Sequence, residues 1–235
     1  MLTRTHLLAA GIATAIAAVA GIEAAETTPD SLVPVMLMWR MPQVNGASVE
    51  VVNDLGYRIT LTAARVTSSS VELIPCEADA SRVSAGDRPA QTAMVRIEDV
   101  LDMPAGALLD RISPRPTRYC EARYVVGRAP AASLRGTSRA GASVVLAGAY
   151  RQPATDKMVP FAIESGIGDG VVTPLQLAEQ PFAATFDPGM RVVVTRDLAR
   201  AFKGVDFATM SKDEIARRFL HSLLAATRVA VEPPV

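Results

Sequence analysis

The chain has 235 residues, is 49% hydrophobic and carries 24 basic residues against 24 acidic ones. That apolar content suffices for a sizeable core without metal or many disulfides, and scattered charges that sum to zero leave no footprint for nucleic acid or an anionic membrane. Lysine occurs only at Lys157, Lys203 and Lys212, with arginine supplying the remaining cations; with the abundant alanine this is the composition of a GC-rich bacterial genome.

Met1 to Ala25 has a short basic start at Arg4, with His6 beside it, and a small-residue apolar run from Leu7 to Ala20. Small-x-small sites follow at Ala18-Val19-Ala20 and near Ala24-Ala25. Residues 1–25 are therefore expected to be a secretory signal peptide, its basic end retained while the apolar run enters the membrane. The run is short for a stable span, no later segment has about 18 consecutive apolar residues, and no cysteine stands directly after the cleavage region. The expected product is an exported, periplasmic chain without a membrane anchor, and residues 26–235 are expected to form a single domain.

The first body segment, Met36-Leu37-Met38-Trp39-Arg40-Met41, has some chemical character. Thioethers are soft ligands that select Cu(I), and an indole face can sit against a cation. Met36, Met38 and Trp39 are the candidate metal residues, and Cu(I) the one candidate cofactor. On a strand, Met36 and Met38 share a face with Arg40 while Leu37, Trp39 and Met41 share the other, so the three candidates converge on one ion only through a bulge. The competing reading is a core strand in which methionine fills space.

Strand signals dominate from Ser48 to Cys76. Ser48 to Val52 leads through Asn53-Asp54-Leu55-Gly56, residues that tolerate tight turns, into Tyr57 to Ala63. There Tyr57, Ile59, Leu61 and Ala63 alternate with Arg58, Thr60 and Thr62, the period-two pattern of a half-buried strand. Val71, Leu73 and Ile74 lead into Cys76 as another strand. Cys76 and Cys120 are the only cysteines. In an oxidising compartment an even pair is most simply one disulfide, and closing a loop of 44 residues is worth about 4 kcal/mol by chain entropy. A thiolate metal site or a redox pair would need further ligands or close spacing.

Asp79 to Ala90 and Ala129 to Ala142 read as exposed loops. Ile97 to Ile112 holds apolar clusters interrupted by Pro104 and is expected to form one or two broken helical turns. The carboxylates Glu98, Asp99 and Asp102 read there as solvated positions rather than the opposed pair acid–base chemistry needs. Tyr119 to Val126, Ser143 to Tyr150, Met158 to Glu164, Val171 to Leu177 and Phe182 to Phe186 are further strand candidates. Gly166 to Gly170 reads as a turn, lacking the Lys-Ser/Thr of a phosphate loop. Asp187-Pro188-Gly189 is a turn with a mechanism, and Arg191 to Thr195 returns as a strand.

Helix is expected over residues 211–227. Ser211-Lys212-Asp213-Glu214 is a capping box, and Ile215, Phe219, Leu220, Leu223 and Ala226 fall on one face. His221, the one histidine beyond the leader, sits on this helix; there is no G-x-S-x-G elbow, so a hydrolase site has few players. Many short strands with turn signals predict a mainly β fold, an antiparallel β-sandwich with a C-terminal amphipathic α-helix and one disulfide.

Asp54 to Val66 running on to Val71-Glu72-Leu73-Ile74-Pro75-Cys76, with Arg191 to Leu198 and Phe202 to Asp206 later, resembles exported bacterial β-sandwich proteins of the methanobactin-operon partner-protein type. The resemblance implies a periplasmic role near metal or metallophore handling, and transfers no functional residue. The functional expectation is a non-enzymatic binding or accessory protein, with no catalytic residues named. The alternative is a metal-free interaction module, a subunit of a cell-envelope assembly that docks on an envelope or outer-membrane protein. A hydrolase is the third reading.

Overall fold

Alternation builds the first strand, β1 (Val33–Arg40), in which Val33, Val35 and Leu37 are buried and the residues between them are half-buried. The structure, a computed structural model, describes residues 32–42, 44–45, 48–76, 90–102, 106–115, 117–130, 141–153, 155, 157–177, 186–187 and 189–233. The expected leader, most of the loops expected at Asp79 to Ala90 and Ala129 to Ala142, and the strand expected at Phe182 to Phe186 (save Phe186) lie outside the described residues.

After β1 come β2 (Val44–Asn45), β3 (Ser48–Val52), β4 (Arg58–Pro75), β5 (Ala90–Gln91), β6 (Arg96–Asp99), β7 (Ala107–Ile112), β8 (Tyr119–Val126), β9 (Val144–Arg151), β10 (Met158–Ser165), β11 (Asp169–Leu177) and β12 (Arg191–Asp197). Then follow α1 (Leu198–Ala201), α2 (Lys212–Ala226) and β13 (Arg228–Glu232). The strands form one sheet in the order β10-β9-β4-β8-β11-β13-β12-β1-β7, with β3, β5 and β6 also pairing on β4 and β2 on β3. The fold is mainly β, as expected, but it is one curled mixed sheet, a half-barrel, and not two facing antiparallel sheets. The pairs β1–β12 and β11–β13 are parallel.

The curl originates in β4. Its first half lies between β3 and β9, and its second half between β8 and the short strands β5 and β6. The register of β4 slips at Leu61/Ala63 against β9 and at Ser68/Ser70 against β8. Bulges of this kind bend a strand and increase its twist, which lets one strand serve both halves. The slip also changes the alternation: Ile59 and Leu61 are buried, but Ala64, not Ala63, continues the inner face. What reads as two strands, Tyr57 to Ala63 and Val71 to Cys76, is thus one of 18 residues. At Gly148, opposite Leu61, a Cβ would lie 2.0 Å from the Thr60 carbonyl oxygen, so only glycine lets β9 approach β4 there.

The expected helical turns over Ile97 to Ile112 are instead β6, a turn, and β7. Glu98 on the buried face of β6 hides the alternation, because a charged residue reads as solvated. The expected helix is present as α2, with Ser211 as N-cap and both halves of the capping box formed with Glu214. Its face of Ile215, Ala216, Phe219, Leu220, Leu223 and Leu224 is buried. Phe219 meets Phe202 edge-on at 5.0 Å, and Phe207 stacks on Tyr150 at 4.7 Å. The helix does not end the fold: β13 follows and inserts between β11 and β12. Asn53 ties the β3–β4 turn to the α1–α2 connection, donating to the carbonyls of Val205 (2.8 Å) and Phe202 (3.3 Å) while its Oδ1 accepts from Leu55 and Tyr57 amides.

The expected Cys76–Cys120 disulfide is formed, with a Cα–Cα distance of 4.9 Å, and joins the end of β4 to the start of β8. Replacing both cysteines by alanine is expected to lower unfolding free energy by up to about 4 kcal/mol, since the loop closed in the unfolded chain is long. Urea unfolding of the double variant against the oxidised parent measures it; equal midpoints would refute that contribution.

Candidate functional site

The parallel register of β1 on β12 decides what the inner face of the sheet holds. It sets Trp39 opposite Arg196 and Met38 opposite Thr195. Paired residues share a face, so Trp39 and Arg196 lie inward with Val35, Leu37, Val192 and Val194, whereas Met36 and Met38 lie outward. On the far side of the half-barrel, β6 pairs with β4 through Val66 and Glu98, both buried. The inner face therefore carries a cation from β12 and an anion from β6, both cut off from solvent.

These two meet in a bidentate ion pair. Arg196 donates from one terminal nitrogen to Glu98 Oε1 and from the other to Oε2 at 2.6 Å. Trp39 Nε1 donates to Glu98 Oε2 at 2.9 Å, and Ser68 Oγ donates to Oε1. Tyr124 Oη lies 2.6 Å from Ser68 Oγ, and Arg196 also donates to Tyr124 Oη at 3.1 Å. The guanidinium carbon sits 4.3 Å from the centroid of the Trp39 ring. Four strands besides β12 thus fix one arginine. Such a pair is retained only when nearly every donor and acceptor is met, because two desolvated charges are otherwise costly. One atom is left over: Arg196 Nε is buried without a hydrogen-bond partner among the described residues.

The electrostatics follow from burial. Desolvation pushes the Tyr124 hydroxyl above its ordinary pKa, only partly offset by the Arg196 charge. Desolvation also opposes the charge on Arg196, but Tyr124 and Glu98 outweigh it and hold the guanidinium charged. Ser68 touches a carboxylate, yet neither is exposed to a substrate, so the cluster in this conformation orders the sheet interior rather than presenting a nucleophile.

Of the sequence-derived metal candidates, Met36 and Met38 share the outward face of β1 and Trp39 lies on the other. Trp39 lies on the opposite face, its N–H given to Glu98 and its ring covered by Arg196. Met36 and Met38 both border Gly106, which has φ +109°: a Cβ there would lie 3.5 Å from Met38 Cγ and 3.9 Å from Met36 Cε. Both cysteines are in the disulfide, and among the described residues no three His, Cys, Asp or Glu side chains cluster as metal ligands. His221 is exposed on α2. Asp99 pairs with Arg65 at 3.2 Å, whereas Glu98, expected to be solvated, is the buried anion of the cluster.

Sequence reasoning does not find Arg196, Glu98, Tyr124 and Ser68 as a group. They are spread over 128 residues of sequence, from Ser68 to Arg196. One signal is present: Arg196 stands where the alternation of β12, after Val192 and Val194, calls for an apolar residue.

No family model matches the chain, and no curated protein gives a significant match. Among solved structures, MbnP from Methylosinus trichosporium is similar with a TM-score of 0.39 and 12% identity, over 73% of this chain and 76% of that one. That is a distant structural likeness, and no residue's role is taken from it.

Replacing Arg196 by methionine strands the Glu98 carboxylate in the interior and is expected to cost about 3–5 kcal/mol. Adding Glu98→Leu is expected to recover part of that loss in urea unfolding; strictly additive single costs would refute the coupling. A second outcome concerns alkali. A tyrosine whose folded pKa is raised keeps its proton longer folded than unfolded, so its stabilising effect is complete below about pH 10 and is lost as pH rises through the folded value. Stability is expected to fall above that pH, and less steeply in Tyr124→Phe; an identical alkaline slope would refute it.

Proposed function

We propose that this chain is an exported, non-enzymatic binding or accessory protein that holds a soft metal, Cu(I), at Met36 and Met38. The observation that carries the reading is that these two methionines share the outward face of β1 and both border Gly106. Cu(I) is the ion thioethers select, and two of them leave its coordination incomplete. A metal held this way arrives with ligands of its own, so the cargo that suits the site is a copper complex. Trp39 stands outside this set and serves the reading indirectly: its bond to Glu98 and contact with Arg196 fix the strand that carries both methionines. The disulfide is consistent with an oxidising compartment.

Titration of the oxidised protein with Cu(I) against a chromogenic chelator tests the proposal. The expected result is stoichiometric uptake, abolished in Met36→Leu/Met38→Leu and kept in Trp39→Phe. Unchanged affinity in the double methionine variant overturns it.

A second reading, docking on an envelope partner without metal, is favoured by a different observation. Leu108 pairs with Met36 on the outward side of β7 and is 40% exposed, and Met94 nearby is 59% exposed. Backbone amides of Ala93 and Met94 donate to Asp110 of β7, which holds this apolar surface at the sheet edge. Deleting everything after Ser211 would also remove β13 from the sheet, so Met94→Lys/Leu108→Lys is the cleaner variant. Loss of a co-purifying partner in that variant, with Cu(I) uptake absent in the parent, would favour this second reading.

A further inference from the structure

A cleft of about 740 Å³ opens between the turn after α1 and the exposed side of α2. Its walls carry Arg200, Lys203, Arg218 and His221, with Asp54 from the β3–β4 turn. The acidic groups are already engaged. Asp54 accepts the Gly204 amide at 2.7 Å, and Asp197 caps α1 and pairs with Arg200 at 3.6 Å. Lys203 and Arg218 have no carboxylate at ion-pair distance among the described residues, so the cleft carries surplus positive charge in a chain whose overall charge is zero.

The walls are held in place. Ser222 Oγ donates to the Lys203 carbonyl at 2.9 Å, tying α2 to the turn that bears Lys203. Gly204 has φ +70°, and the Arg218 Nε sits 3.6 Å from where a Cβ would be, so the guanidinium packs against a backbone that glycine keeps bare. The cleft shares Arg200 and Ala226 with a small adjoining recess lined also by Arg40, Thr195, Arg196, Asp197 and Arg228. Lys203 and Arg218, two cations with no carboxylate partner among the described residues, line one cleft whose walls are held in place, and together they make a receptor for an acceptor-rich anion.

We propose that this cleft binds a small, multiply charged oxyanion, a molecule carrying two or more phosphoryl or carboxylate groups. Lys203 and Arg218 form its principal contacts, and Arg200 the contact toward the recess. The proposal is independent of the methionine reading, which uses different residues and different chemistry.

Calorimetric titration of the full oxidised protein at low ionic strength, with pyrophosphate and separately with citrate, tests it. The expected result is saturable one-to-one binding of at least one probe, weakened about ten-fold or more in Lys203→Gln/Arg218→Gln, because each lost charge-assisted bond is worth roughly that factor. Binding to pyrophosphate alone assigns phosphoryl groups, and to citrate alone carboxylates. The double variant should melt at the parent's temperature; should it not, Lys203→Gln alone, at an exposed position, is read instead. No saturable binding of either probe, or equal affinity in parent and folded variant, overturns the proposal.

Discussion

The bidentate pair between Arg196 and Glu98 is the interaction on which the rest of the interior depends. It joins β12 to β6 across the half-barrel, and β6 reaches it only because β4 bends far enough to present β6 there. A charge pair inside a sheet is a demanding constraint: apolar side chains tolerate small shifts, but two desolvated ions require their partners at fixed distances. Trp39, Ser68 and Tyr124 meet that requirement from three further strands. The cluster thus specifies which strands neighbour which, in a fold whose hydrophobic pattern alone would permit other curvatures and registers.

Strand β1 separates the chemistry of the two faces. Inward, its residues build core and cluster; outward, Met36, Met38 and Arg40 share one face, with Gly106 beside the two methionines. The rigid interior keeps both faces of the strand in register.

Much of this is legible in the residues themselves. The period-two runs locate most of the longer strands, two cysteines give the disulfide, and the capping box places α2 to within a residue at either end. The rest is hidden for physical reasons. Bulges in β4 shift the alternation, so one long strand looks like two. Glu98 and Arg196 occupy inward positions that apolar residues usually fill, and charged residues read as solvent-facing. Parallel pairing of β1 with β12 and β11 with β13 leaves no local signal, because partners distant in sequence set it. The candidate site divides along the same line: the shared face of Met36 and Met38 follows from strand geometry, whereas the capture of Trp39 by a buried carboxylate does not.

The position of Trp39 has a spectroscopic consequence. It is the single tryptophan of the chain, and it sits where β1, β6 and β12 meet under a guanidinium group. Its ultraviolet emission is therefore a local gauge of one tertiary event, the closing of contacts between residues 59 and more positions apart. In refolding, helix α2 and the β3–β4 hairpin would form silently by this gauge, and the signal would arrive only when the most sequence-distant strands lock together. The protein thus carries an intrinsic optical marker for the completion of its sheet.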